Sequence, residues 1–233
     1  MEVKNLTAKI HDSIIFENIN LNLKNDELHI LLGKNGSGKS TLAKILSGYN
    51  DFETTGEIII NNKILDKKID VYARAGLFLL HQTPIEINGL ALSYLIRAGL
   101  SIRSISIDPI SLLNKLKSIC HQYNFPEHIL SRYVNYNLSG GEKRKSELLQ
   151  MIIFNPSIVI ADEIDSGVDI DSLNDIIKCI NDVRKDKSFL IITHNIDFAK
   201  KLNPDFVHIL NNKKLETFSS NVLDSIKDGF DGH

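Results

Sequence analysis

Between residues 14 and 46 the hydrophobic pattern changes its period twice. Ile19, Leu21 and Leu23 alternate with Asn18, Asn20 and Asn22, the two-residue period of a strand with one buried face. Leu28–Leu32 is apolar almost without a break, which suits a strand covered on both sides. Past a glycine-rich stretch the spacing becomes helical, with Leu42, Ile45 and Leu46 on one side. The first 23 residues thus read as two strands joined near His11-Asp12-Ser13. Further strands are predicted at Gly56–Ile60, Ala75–Leu80, Ser157–Ala161, Ser188–Thr193, Phe206–Leu210 and Lys214–Phe218. From Thr83 to Leu138 strand signals fade, and helices are predicted at Ala91–Leu100, at Pro109–Tyr123 and after Pro126. Two more are predicted at Asp171–Arg184 and Asn221–Lys227. Strands alternating with helices imply an α/β fold with a mostly parallel central sheet. An N-terminal antiparallel β portion and an inserted helical subdomain complete it. The core would be residues 1–82 and 155–233, and the helical subdomain about residues 83–154.

The glycine-rich stretch is Gly33-Lys34-Asn35-Gly36-Ser37-Gly38-Lys39-Ser40-Thr41, a G-x-x-x-x-G-K-S string between a strand and a helix. That context is what a phosphate-binding loop requires. Its backbone N–H groups and the helix N-terminus would cradle phosphate oxygens. Lys39 would neutralise the β- and γ-phosphates of ATP, and Ser40 would hold Mg²⁺. The apolar strand ending in Asp162-Glu163 is a Walker B arrangement: Asp162 placed to order Mg²⁺, Glu163 to polarise the attacking water.

Leu138-Ser139-Gly140-Gly141-Glu142 resembles the L-S-G-G-Q signature of ABC-type ATPases. The resemblance spans essentially the whole chain and implies a P-loop NTPase in which two copies sandwich two ATP molecules. Ser139, Gly140 and Gly141 of one copy would then touch the ATP held by the other. It also assigns Gln82 to the Q-loop, beside Mg²⁺ and the attacking water, and His194 to the switch position that contacts the γ-phosphate. Asn155-Pro156 matches the turn before Walker B, and Ser166-Gly167-Val168-Asp169 the D-loop. Two features depart from the transporter pattern. Ala8–Asp12 holds no Phe, Tyr or Trp to stack on adenine, and Ile164-Asp165 stands where transporter subunits usually read Pro-Thr. Lys143-Arg144-Lys145 reads as a solvated basic face, although a member of the run lying against Glu163 would restrain it.

Several strings resemble the ATPase subunit of the Suf iron–sulfur cluster assembly system (SufC). They are Tyr72–Gly76, Gln82–Gly89, Ser139–Lys143 and, most specifically, Asp162–Asp171. That resemblance implies soluble scaffold partners (SufB- and SufD-like) and a transient ATP-dependent homodimer. Ile85, Ile87 and Leu90 make Gln82–Leu100 the expected docking segment, unless these side chains pack beneath the helical subdomain. The alternative is the nucleotide-binding subunit of a membrane importer. DNA-repair relatives would need a long coiled coil between the P-loop and the signature, and translation-factor relatives two such domains.

Composition narrows this further without deciding it. The 233 residues are 42% hydrophobic and 24% charged, with 27 Lys and Arg against 29 Asp and Glu. The resulting net charge of −2 leaves no electrostatic footprint for nucleic acid. No apolar run reaches bilayer length, so direct membrane insertion is not expected. Cys120 and Cys179, the two cysteines, read as core thiols of a reducing compartment. The expected location is the cytoplasm, or a plastid stroma or organelle lumen if a leader has been removed.

Overall fold

The computed structural model describes residues 1–11 and 13–226. In chain order come β1 (Glu2–Ile10), β2 (Ser13–Asn22), β3 (Leu28–Leu32), α1 (Lys39–Leu46), β4 (Glu53–Ile60), β5 (Lys63–Ile64), α2 (Ile69–Arg74) and β6 (Leu77–Leu80). Next are β7 (Ile87–Ala91), α3 (Leu92–Ile102), α4 (Pro109–Gln122), β8 (Tyr133–Val134) and α5 (Gly140–Phe154). The chain continues with β9 (Ile158–Asp162), α6 (Ile170–Val183), β10 (Ser188–Ile192), α7 (Ile196–Lys201), β11 (Phe206–Asn211) and β12 (Lys214–Ser219).

One compact unit holds residues 1–79, 157–163 and, among the described residues, 184–226. It contains two sheets. The first, ordered β2-β1-β4-β5, is antiparallel throughout. The second is ordered β12-β11-β3-β10-β9-β6, and β9, β10, β3 and β11 run parallel. All five residues of β3, of β9 and of β10 are buried, which is why each reads as a continuous apolar run. The buried side of α1 (Leu42, Ile45, Leu46) shares one core with Phe16 and Ile19 of the antiparallel sheet and Leu31, Ile160 and Ile192 of the parallel one. Each of these large side chains stabilises the fold by about 1.5–3 kcal/mol through burial.

The second unit holds residues 80–156 and 164–183. Its helices α3 to α6 bury Ile96, Leu116, Met151 and Ile176, among others. Cys120 and Cys179 are buried free thiols here, pushed up by burial to about 11 and about 12. They are the unreactive core thiols expected from the sequence.

Several short elements were not visible in the hydrophobic period. Helices α2 and α7 have six residues each, too few to display it. β7 and β8 form a small antiparallel pair where no strand was expected. The outer residues of β7 are exposed, so no burial pattern marks them. The expected terminal helix is a 3-10 turn at Ser220–Asp224, and Lys227 lies outside the described residues. Asparagine has a structural use in this chain. Ten of the sixteen described non-glycine residues with positive φ are Asn, including Asn155, whose φ of 45° ends α5 before Pro156.

Candidate functional site

β3 delivers the chain into the P-loop, and the loop is folded tightly. A Cβ on Gly33 would lie 2.6 Å from Leu210 O, so no side chain fits there. Gly38, with φ +102°, occupies a left-handed conformation and would place a Cβ 2.7 Å from Ile15 Cγ2. Lys39 opens α1 and is buried, and its Nζ donates to Gly33 O at 2.8 Å and Lys34 O at 2.9 Å. These bonds curl the loop around the ammonium. No side chain caps the N-terminus of α1, and no acidic residue sits in its first turn. Ser37 Oγ is buried in the loop with no hydrogen-bond partner. An uncapped helix start, a clamped lysine and an orphaned hydroxyl suit a polyphosphate.

Across from the loop, Ser40 Oγ donates to Asp162 Oδ1 at 3.1 Å, joining α1 to the end of β9. Burial pushes the Asp162 carboxyl above its usual range; the Ser40 bond opposes this, and the neighbouring Glu163 carboxylate adds to it. A buried carboxylate beside a hydroxyl is a hard-oxygen set that fits Mg²⁺. Glu163 is buried at φ 46°, and its N–H donates to Ile192 O at 2.9 Å. The same strand end leads to His194, which is exposed. That turn is held by Asn195, whose N–H donates to Thr193 Oγ1 and whose Oδ1 caps α7. Gly33–Thr41, Asp162, Glu163 and His194 therefore all belong to the first unit.

Gln82 and Ser139–Gly141 belong to the second. Ser139 caps α5 in a reciprocal box with Glu142: Ser139 N–H donates to Glu142 Oε2 at 2.8 Å and Glu142 N–H to Ser139 Oγ at 3.3 Å. The backbone N–H of Ser139 is the first cause holding the Glu142 carboxyl below its usual range. A Cβ on Gly141 would lie 2.5 Å from Ser172 Oγ, so the start of α6 excludes any larger residue.

The Lys143–Lys145 run is not the solvated basic face expected from its composition. Lys143 pairs with Glu86 at 2.6 Å, and the buried Lys145 pairs with Asp175 at 2.6 Å. The buried Arg144 pairs with Glu147 at 2.9 Å and donates to the carbonyls of His81 and Gln82. Burial raises the Glu147 carboxyl to about 7 against the pull of Arg144. An i,i+3 charge pair was the only sequence signal of this contact; its partners lie more than sixty residues away.

The ABC transporter family model matches residues 16–166. The chain belongs to the ABC transporter family. As a member it is an ABC-type ATPase that binds Mg–ATP. It is 38% identical over 223 residues to the probable ATP-dependent transporter ycf16 of Cyanophora paradoxa, covering 92% of this chain and 86% of that protein. It is 37% identical over 216 residues to vegetative protein 296 of Bacillus subtilis strain 168, covering 90% and 83%. Among solved structures, the dimeric bacterial ABC transporter cassette MJ0796 matches with a TM-score of 0.80 at 20% identity, covering 94% of this chain and 97% of that one. The ADP- and phosphate-bound form of that cassette matches with a TM-score of 0.78 at 21% identity, again covering 94% and 97%. The α/β cassette fold is thus shared across 94% of the chain. No helix among the described residues is long and apolar enough to cross a membrane.

Proposed function

We propose that this ABC ATPase drives a conformational change in a soluble scaffold that assembles iron–sulfur clusters. Lys39 and the loop N–H groups would bind the β- and γ-phosphates. Ser40 and Asp162 would hold Mg²⁺, whose charge offsets that of the phosphates. Glu163 would accept a proton from the attacking water while His194 contacts the γ-phosphate. Gln82 would orient the water, and Ser139, Gly140 and Gly141 would complete the site on a second copy of the chain.

The observation that carries the scaffold reading is an exposed apolar patch in the segment after Gln82. Ile85 is 53% exposed, and Ile87, Tyr133 and Tyr136 are exposed too, on and beside the β7–β8 pair. Asn135 Nδ2 donates to Ile85 O at 2.9 Å, which fixes the segment in this outward position. Ile85 and Ile87 therefore do not pack beneath the helices, and the patch offers a partner an apolar anchor. The names of several relatives favour a second reading, the ATP-binding subunit of a transporter. Affinity purification from native cells separates the two. The scaffold reading expects a cluster-bearing partner without membrane spans, lost when Ile85→Asp and Ile87→Asp are combined in a chain that still binds ATP. Recovery of a polytopic membrane protein instead would establish the transporter reading.

A further inference from the structure

Arg144 and Glu147 stand three residues apart on α5, facing the segment that follows β6. Arg144 Nη1 lies 2.9 Å from Glu147 Oε2, and the guanidinium also donates to the carbonyl oxygens of His81 and Gln82. Glu147 in turn accepts the backbone N–H of His81. Three successive peptide units, from 80–81 to 82–83, are thus tied to one turn of the helix, while Gln82 remains exposed. An exposed ion pair would order little. This one is buried, with Arg144 only 3% exposed, so losing either partner strands polar groups that have no water to turn to.

We propose that Arg144, braced by Glu147, is a positioning residue that fixes the Gln82 backbone to the signature helix. Gln82 is then presented by α5 and not by a loose loop, and a shift of α5 carries the glutamine with it. The inference rests on the reading of Gln82 as a residue that orients the attacking water. The guanidinium spreads these bonds over Nη1 and Nη2, whereas an ammonium holds its three donors on one nitrogen and does not reproduce that spread. Arg144→Lys should therefore restore part of what Arg144→Met removes.

The test combines amide hydrogen exchange with turnover in the full chain. In Arg144→Met, exchange at His81, whose N–H is bonded to Glu147, should rise at least tenfold while the P-loop amides stay unchanged, with a smaller rise in Arg144→Lys. Turnover should fall at least tenfold with the ATP dissociation constant within twofold of wild type. Adding Arg144→Met to Gln82→Ala should cost no further turnover, because both changes remove one function. If Arg144→Met does not fold, Glu147→Gln keeps an acceptor and is expected to raise the same exchange to a lesser degree. Unchanged exchange at His81, or full additivity with a disabling Gln82→Ala, overturns the proposal. If Gln82→Ala alone leaves turnover intact while exchange responds to Arg144→Met, the clamp stands and the role given to Gln82 fails.

Discussion

Glu163 projects its carboxylate from a left-handed backbone, with φ 46° and its N–H anchored on Ile192 O. A non-glycine residue in that region costs of order 1 kcal/mol, and the hydrogen bond to β10 helps to hold it there. The same strain applies to glutamine, so Glu163→Gln removes the proposed base without disturbing the turn. The expected result is ATP affinity within a few-fold of wild type and turnover lower by about 10²–10⁴-fold, the usual worth of a general base. Calorimetry and phosphate release measure the two; a variant that turns over at the wild-type rate would show that another group activates the water. The pair of carboxylates was legible from the sequence because an apolar strand ends at Asp162. The backbone of Glu163 was not, since glutamate has no preference for positive φ and the turn into α6 imposes it. Arg144 was likewise visible only through its i,i+3 spacing to Glu147, because its other acceptors are backbone carbonyls that no residue type announces.

At the level of elements, β3 and β11 are held together by buried side chains as well as by their ladder. His29 Nδ1 lies 2.8 Å from His208 Nε2, His29 Nε2 lies 3.1 Å from Glu27 Oε2, and His208 Nδ1 lies 2.9 Å from Thr217 Oγ1. An ionised Glu27 only accepts, so His29 carries its proton on Nε2 and must accept at Nδ1. His208 then donates from Nε2 and accepts from the Thr217 hydroxyl, and both rings are neutral. Burial, then the neighbouring His29, lowers His208 to about 3; burial lowers His29 despite Glu27 and Asp205. The unfolded chain therefore binds protons that the fold refuses. Stability contributed by neutral His208 is present above about pH 6.5 and is lost as pH falls from there toward 3, at about 1.4 kcal/mol per pH unit. Urea midpoints between pH 8 and 5 should show this acid limb, and His208→Gln should flatten it; equal slopes in the two proteins would refute the assignment. Strands such as β3, β9 and β10 were legible because burial on both faces leaves only one polar residue in each: His29, Asp162 and Ser188. The β7–β8 pair was not, because its outer face is solvent and its residues answer to no burial pattern.

For the whole molecule, the proposed reaction needs two copies. Ser139 and Gly141 of one chain would supply donors to the phosphates held by the P-loop of another. Preorganised donors of this kind are worth about 3 kcal/mol of barrier each, so an isolated chain should turn over orders of magnitude more slowly. Turnover per chain is expected to climb steeply with protein concentration or with added scaffold, and Ser139→Arg should abolish the climb. Constant turnover per chain, with sedimentation showing a monomer throughout, would rule this out. The two units also alternate along the chain: the second takes residues 80–156, yields to β9, then resumes at 164–183. Its internal contacts therefore join stretches that are not contiguous in the gene. Lys145 meets Asp175, and Gly141 meets Ser172 so closely that an added Cβ would stand 2.5 Å from its hydroxyl oxygen. A recombination that exchanges residues 80–156 between relatives, leaving 164–183 behind, sets one parent's signature glycine against the other parent's residue 172. Viable hybrids of this unit must inherit both stretches from the same parent, or carry the same small side chain at residue 172 in each.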